Sequence, residues 1–166
     1  MEKIPMYVHS ITLDPESNAP ILILKEIDGE RTLPIWIGLL EATAIATEME
    51  KISFARPMTH DLSMNLLRAM DIEIENVEVS DLRDSTYYAT IRLKQGGRVA
   101  TEDARPSDAV ALALRAKAMI YVNESVLGKI QPDREASAVM GEDTTEKEKW
   151  TKILEELDPD KFKYKM

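Results

Sequence analysis

The chain has no cysteine, two histidines, six glycines and 5% aromatic residues among its 166 positions. Without cysteine there is no disulfide, no thiolate metal centre and no thiol nucleophile, a composition that suits a reducing compartment. Gly29, Gly38, Gly96 and Gly97 fit neither a dinucleotide-binding turn nor a phosphate-cradling loop, and no Gly-x-Ser-x-Gly elbow is present. The scarcity of aromatics leaves Tyr87 and Tyr88 without the basic surroundings that a single-strand stacking platform needs. No apolar run approaches the roughly 20 residues of a membrane span, and no basic stretch leads into an apolar one at the N-terminus. A cytoplasmic protein without membrane contact is expected. Positive charge is also short: 21 Lys and Arg stand against 30 Asp and Glu, for a net charge of −9. Such a balance repels phosphate backbones unless basic groups are gathered locally or a divalent cation intervenes.

What is present, 44% hydrophobic and 31% charged residues, belongs to a folded domain. Residues 6–13 read as a strand, Asp14 to Pro20 as a turn, Ile21–Ile27 as a second strand and Arg31–Ile37 as a third. Asp28-Gly29 is expected to supply a positive-φ hairpin turn between the last two. From Leu39 the apolar spacing changes to that of a helix reaching about Ile52. A shift of 67 residues repeats this βββα unit, placing Asp14 on Asp81, Gly29 on Gly96, Glu41 on Asp108 and Ala42–Ala46 on Ala109–Ala113. The repeat predicts strands at Ile72–Leu82, Thr86–Lys94 and Arg98–Glu102 and a helix at Ser107–Lys117. Between the units, Thr59 is expected to cap a helix with Leu62, Leu66 and Met70 along one face. A strand at Ala118–Val122 follows, and the core is expected to close near Ile130. Residues 131–144 read as a linker. Thr145-Glu-Lys-Glu148 is a capping box opening an acidic amphipathic tail helix with Trp150, Ile153, Leu154 and Leu157 on one side. The fold class is therefore α+β: internally duplicated βββα units forming a mixed sheet packed with helices over residues 1–130, with a tail helix in 131–166.

Chemistry concentrates at two helix starts of similar form, Arg56-Pro-Met-Thr-His-Asp61 and Glu102-Asp-Ala-Arg-Pro-Ser-Asp108. Proline and serine are ordinary helix-start residues, an acid in the first turn meets the positive end of the helix dipole, and Arg105 has acids nearby to pair with. That structural account covers much of the pattern. Carboxylates gathered at a strand end also suit Mg²⁺ or Mn²⁺, with Asp103, Asp108 and Glu41 as oxygen ligands and Asp61 as a further acid. His60 beside Asp61 is a candidate general base, and Arg56 and Arg105 are candidate phosphate cations. His9 reads as structural.

Pro34-Ile-Trp-Ile-Gly38 leading to Glu41-Ala42, then Arg56-Pro57 with Thr59-His-Asp-Leu62, then Asp103-Ala-Arg-Pro-Ser-Asp-Ala-Val-Ala-Leu-Ala113, resemble the bifunctional nuclease domain family in order and spacing, from about Met6 to Leu127. The resemblance implies an α+β domain, a homodimer, and hydrolysis of DNA and RNA phosphodiesters as in plant members. On that reading His60, Asp61, Asp103, Arg105 and Asp108 form the catalytic set. The alternative is a non-enzymatic dimeric binding or regulatory module in which the Arg-Pro turns are salt-bridged scaffolding, and a third reading is a small-anion binder at the helix N-termini.

Overall fold

Three strands joined by short polar turns begin the chain: β1 (Lys3–Leu13), β2 (Pro20–Glu26) and β3 (Thr32–Trp36). The turn 27–31 does not use positive φ at Gly29, contrary to the sequence expectation. An added Cβ there would stand 2.3 Å from the Glu26 carboxylate, which turns back to hold Arg31, so a side chain at this position has to displace that carboxylate. At the corresponding Gly96 the φ is +56°. The helix α1 (Leu39–Met49) closes the first unit, and α2 (Thr59–Ala69) bridges to the second. That unit repeats the order with β4 (Glu73–Arg83), β5 (Thr86–Gln95), β6 (Arg98–Ala104) and α3 (Pro106–Ala116). The bounds of α3 lie 67 residues beyond those of α1, whereas those of β4 lie 70 beyond those of β1. β7 (Met119–Asn123) and the short α4 (Glu124–Leu127) complete the elements. The computed structural model describes residues 2–130 and Lys152, so the expected linker and tail helix lie outside the described residues.

The seven strands form one mixed sheet in the order β3-β2-β1-β7-β4-β5-β6. β7 sits between the two meanders, antiparallel to β1 and parallel to β4. Leu22, Leu24, Leu33, Val77, Val79, Ile91, Ile120 and Val122 line the buried face beneath Ile45 of α1, Met64 of α2 and Val110 of α3. Each such aliphatic side chain contributes roughly 1.5–3 kcal/mol on burial. Ala109, Ala111 and Ala113 are fully buried because small side chains let α3 approach both the sheet and its neighbours, α1 and α2. β2 is also covered on its other face, where Ile21 and Ile23 pack with Trp36.

One detail of α2 departs from expectation. Its N-cap is Met58, not Thr59, and the Met58 N–H donates to Asp61 Oδ2 at 3.1 Å. Leu62, Leu66 and Met70 do lie on one face, but that face points outward, at 49, 59 and 62% exposure. The inward set is Met64 and Leu67.

Candidate functional site

α1, α2 and α3 bring four charged or titratable side chains to one place. Arg105, the N-cap residue of α3, donates from Nε to Asp108 Oδ2 at 2.7 Å and from Nη1 to Glu41 Oε1 at 2.8 Å. Glu41 and Asp108 occupy the same position in the first turns of α1 and α3, so the two acids that the offset superposes converge on one guanidinium. Gly38 makes room for this: an added Cβ would stand 2.1 Å from Glu41 Oε2. His60, in the first turn of α2, reaches Asp108 Oδ1 from Nε2 at 2.9 Å. An ionised carboxylate only accepts, so Nε2 carries the proton and donates, leaving Nδ1 of the neutral ring as a proton acceptor.

The group meets solvent. The Arg105 side chain is 64% exposed, Asp108 29% and His60 17%. Burial pushes the Asp108 carboxyl up, but hydrogen bonds from Arg105 and His60 outweigh it and hold the group below its ordinary value of 3.8. Hydrogen bonds to Asp108 and then to Glu41 raise the Arg105 pKa, so this cation is charged at every working pH. Two of its five N–H donors are engaged by these acids, and the rest remain for an anion.

Asp61 lies beside His60 in sequence but serves a different contact. Its Oδ1 accepts from Arg115 Nε at 2.7 Å, and that guanidinium also donates to Ala111 O at 2.9 Å and to Ala44 O at 3.0 Å. With its side chain only 7% exposed, Arg115 ties α3 to both α1 and α2. Sequence reasoning gave it no role. The available signal was its place seven residues after Asp108, on the same face of α3.

Asp103 is not part of the group. Tyr121, Glu78, Thr90 and Asp103 pair in one row across β7, β4, β5 and β6, whereas Ile120, Val77, Ile91 and Glu102 make the next row on the buried side. Asp103 therefore faces away from the helices. Arg56 is exposed on the loop before α2 and forms no ion pair among the described residues. Nor do three His, Asp or Glu side chains gather to hold a metal ion among the described residues. Glu41 and Asp108 are bridged by Arg105, Asp61 is held by Arg115, and Asp103 lies on the other face, so the expected acids do not fit a common cation in this arrangement. No helix among the described residues is long and apolar enough to cross a membrane.

Known proteins share this arrangement of sequence. A protein of Mycobacterium tuberculosis, named only as uncharacterized, is 40% identical over 162 residues, covering 94% of this chain and 96% of its own. Bifunctional nuclease 2 of Oryza sativa is 28% identical over 134 residues, 75% of this chain and 41% of its own. Bifunctional nuclease 1 of Arabidopsis thaliana is 29% identical over 109 residues, 63% of this chain and 34% of its own. The family model for the bifunctional nuclease domain matches residues 22–135, which include every side chain of the group. With most of the chain covered, from β2 through α4, the chain belongs to the bifunctional nuclease domain family.

Proposed function

We propose that the chain hydrolyses phosphodiester bonds of DNA and RNA at the group formed by His60, Asp108, Arg105 and Glu41. The observation that carries this reading is the His60–Asp108–Arg105 contact, which sets a proton acceptor, an orienting carboxylate and a solvent-facing guanidinium side by side. In the step it supports, His60 Nδ1 takes a proton from water and the water oxygen forms a bond to phosphorus. The ester P–O bond then breaks, and the departing alkoxide takes a proton from solvent. Asp108 holds the ring and stabilises the imidazolium; Arg105 faces the charge that builds on the phosphoryl oxygens. Mg²⁺ or Mn²⁺ would have to draw Glu41 and Asp108 away from Arg105, so the assay treats the cation as a variable. A homodimer belongs to the same reading, supported by β6, an edge strand exposed along nearly all its length and able to pair with a second copy. A reducing, cytoplasmic setting goes with the absence of cysteine.

A second reading, that the group is scaffolding in a binding or regulatory module, is favoured by one observation: Arg105 already bridges two acids, leaving the cluster without net positive charge. Purified protein assayed on single- and double-stranded DNA and RNA, with Mg²⁺, Mn²⁺ or chelator, separates the two. Hydrolysis that falls roughly 100- to 10,000-fold in His60→Ala supports the enzyme. Activity equal in wild type and His60→Ala sinks the proposed site, and no activity on any substrate favours the scaffold.

A further inference from the structure

The sheet has two edges, β3 and β6, and they are finished differently. On β3 the edge is blunted by Pro34, which has no N–H to offer and whose carbonyl accepts from the Tyr87 hydroxyl at 3.3 Å. β6 has no such protection. From Arg98 to Asp103 every residue is exposed, none is proline, and the far side of the strand pairs with no other among the described residues. Val99 is 49% exposed, and with Ile72, Leu93 and Ala100 it lines a hollow of about 390 Å³ along this edge. An open strand edge with apolar surface beside it is a template for another strand.

The charges on β6 say which strand. Pairing with β5 puts Arg98, Ala100 and Glu102 on the helix side, opposite Gln95, Leu93 and Ile91, and Val99, Thr101 and Asp103 on the other. Arg98 and Glu102 form no ion pair among the described residues. They stand about 13 Å apart along an extended strand, at equal distances on either side of Ala100. In an antiparallel pair related by a two-fold axis, residues equidistant from the axis face each other on the same side of the sheet. With the axis at Ala100, Arg98 of each copy lies opposite Glu102 of the other, Val99 meets Thr101, and Asp103 meets Gly97, which has no side chain. An axis at Thr101 sets Val99 against Asp103 and Ala100 against Glu102. An axis at Glu102 opposes two like charges, and one at Val99 runs the pairing into the turn at Gly96 and Gly97. Opposite charges directly across a pair stabilise it and like charges destabilise it, so one register is selected. A net charge of −9 makes two copies repel at long range, so a contact between copies has to carry its own complementarity, and β6 does.

We propose that β6 pairs antiparallel with β6 of a second copy about a two-fold axis at Ala100, joining two seven-stranded sheets into one. This interface specifies the homodimer of the functional reading, on which it rests. It is independent of hydrolysis, because Arg105 and the His60 group lie beyond the paired span of Arg98 to Glu102.

Sedimentation equilibrium of the full chain and two charge variants tests the register. Wild type is expected to dimerise. Arg98→Glu sets acid against acid at both ends of the pairing and Glu102→Arg sets base against base, and each is expected to weaken association at least about ten-fold. Mixing the two variants restores opposite charges at both ends, and the mixed dimer is expected to form within about three-fold of the wild-type dissociation constant. Both positions are exposed, and an unchanged circular dichroism spectrum reports an intact fold. Wild type that stays monomeric, single variants that associate as wild type does, or a mixture that fails to recover overturns the proposal. Hydrolysis is scored separately on the same samples: a dimer in this register without hydrolysis keeps the interface and sinks the enzyme, and hydrolysis by a monomer does the reverse.

Discussion

The starts of α2 and α3 are written in similar residues, yet their carboxylates meet opposite circumstances. Asp61 is pinned by Arg115, a nearly buried guanidinium whose other donors go to main-chain carbonyls of α1 and α3. Asp108 is held by Arg105, which is mostly exposed, and by His60, which borders solvent. One pair closes a joint between helices; the other leaves donors and a proton acceptor facing water. An ion pair whose guanidinium is nearly buried and also bonded to main-chain carbonyls holds structure, whereas one at the surface contributes little to stability and stays free to act on a ligand.

The comparison can be broken most severely at Arg115. Arg115→Met removes the Asp61 contact and frees the Ala44 and Ala111 carbonyls, and is expected to destabilise the fold by about 2 kcal/mol in urea unfolding. A loss below about 1 kcal/mol would show that the closed joint is no stronger than the open one. At the open start, His60→Ala is expected to lower hydrolysis roughly 100-fold or more while leaving the chain folded. A variant that unfolds instead would make His60 part of the joint.

Asp108→Asn comes next. It weakens two charge-assisted contacts at the helix start, and a cost of about 1 kcal/mol is expected from thermal unfolding. Its pH dependence sharpens the assignment. The Asp108 carboxyl lies below its ordinary 3.8 in the folded protein, so its contribution is fully present above about pH 4 and is lost as pH falls through the depressed value. The gap in melting temperature between wild type and Asp108→Asn should close below about pH 4, and a gap that stays open well below that contradicts the pairing. The smallest effect is expected at Arg56→Ala, within about 0.5 kcal/mol, since this arginine forms no ion pair among the described residues.

Much of the frame was legible in advance because periodicity reports local geometry. The helical periods of α1 and α3 were legible, and Glu41 and Asp108 hold matching first-turn positions. Gly29 was misread because a turn glycine need not take positive φ; here the Glu26 carboxylate folds over it. The stripe on α2 was found correctly, and its direction was left open. Met64 and Leu67 make the inner face apolar too, so spacing alone could not say which side met the sheet.

By itself, the sequence determined where the strands and helices lie and that acids and arginines crowd two helix starts, because caps, turns and apolar periods act over a few residues. Only the tertiary structure decided which charges meet. Arg105 finds Glu41 across 64 positions, and Arg115 finds Asp61 across 54, through helix packing that no local pattern encodes. It also decided that Asp103 is excluded. In Arg98–Ala104 no apolar alternation marks an inner side, so the outward turn of Asp103 follows from the register of β6 against β5, a property of the paired strands and not of the segment.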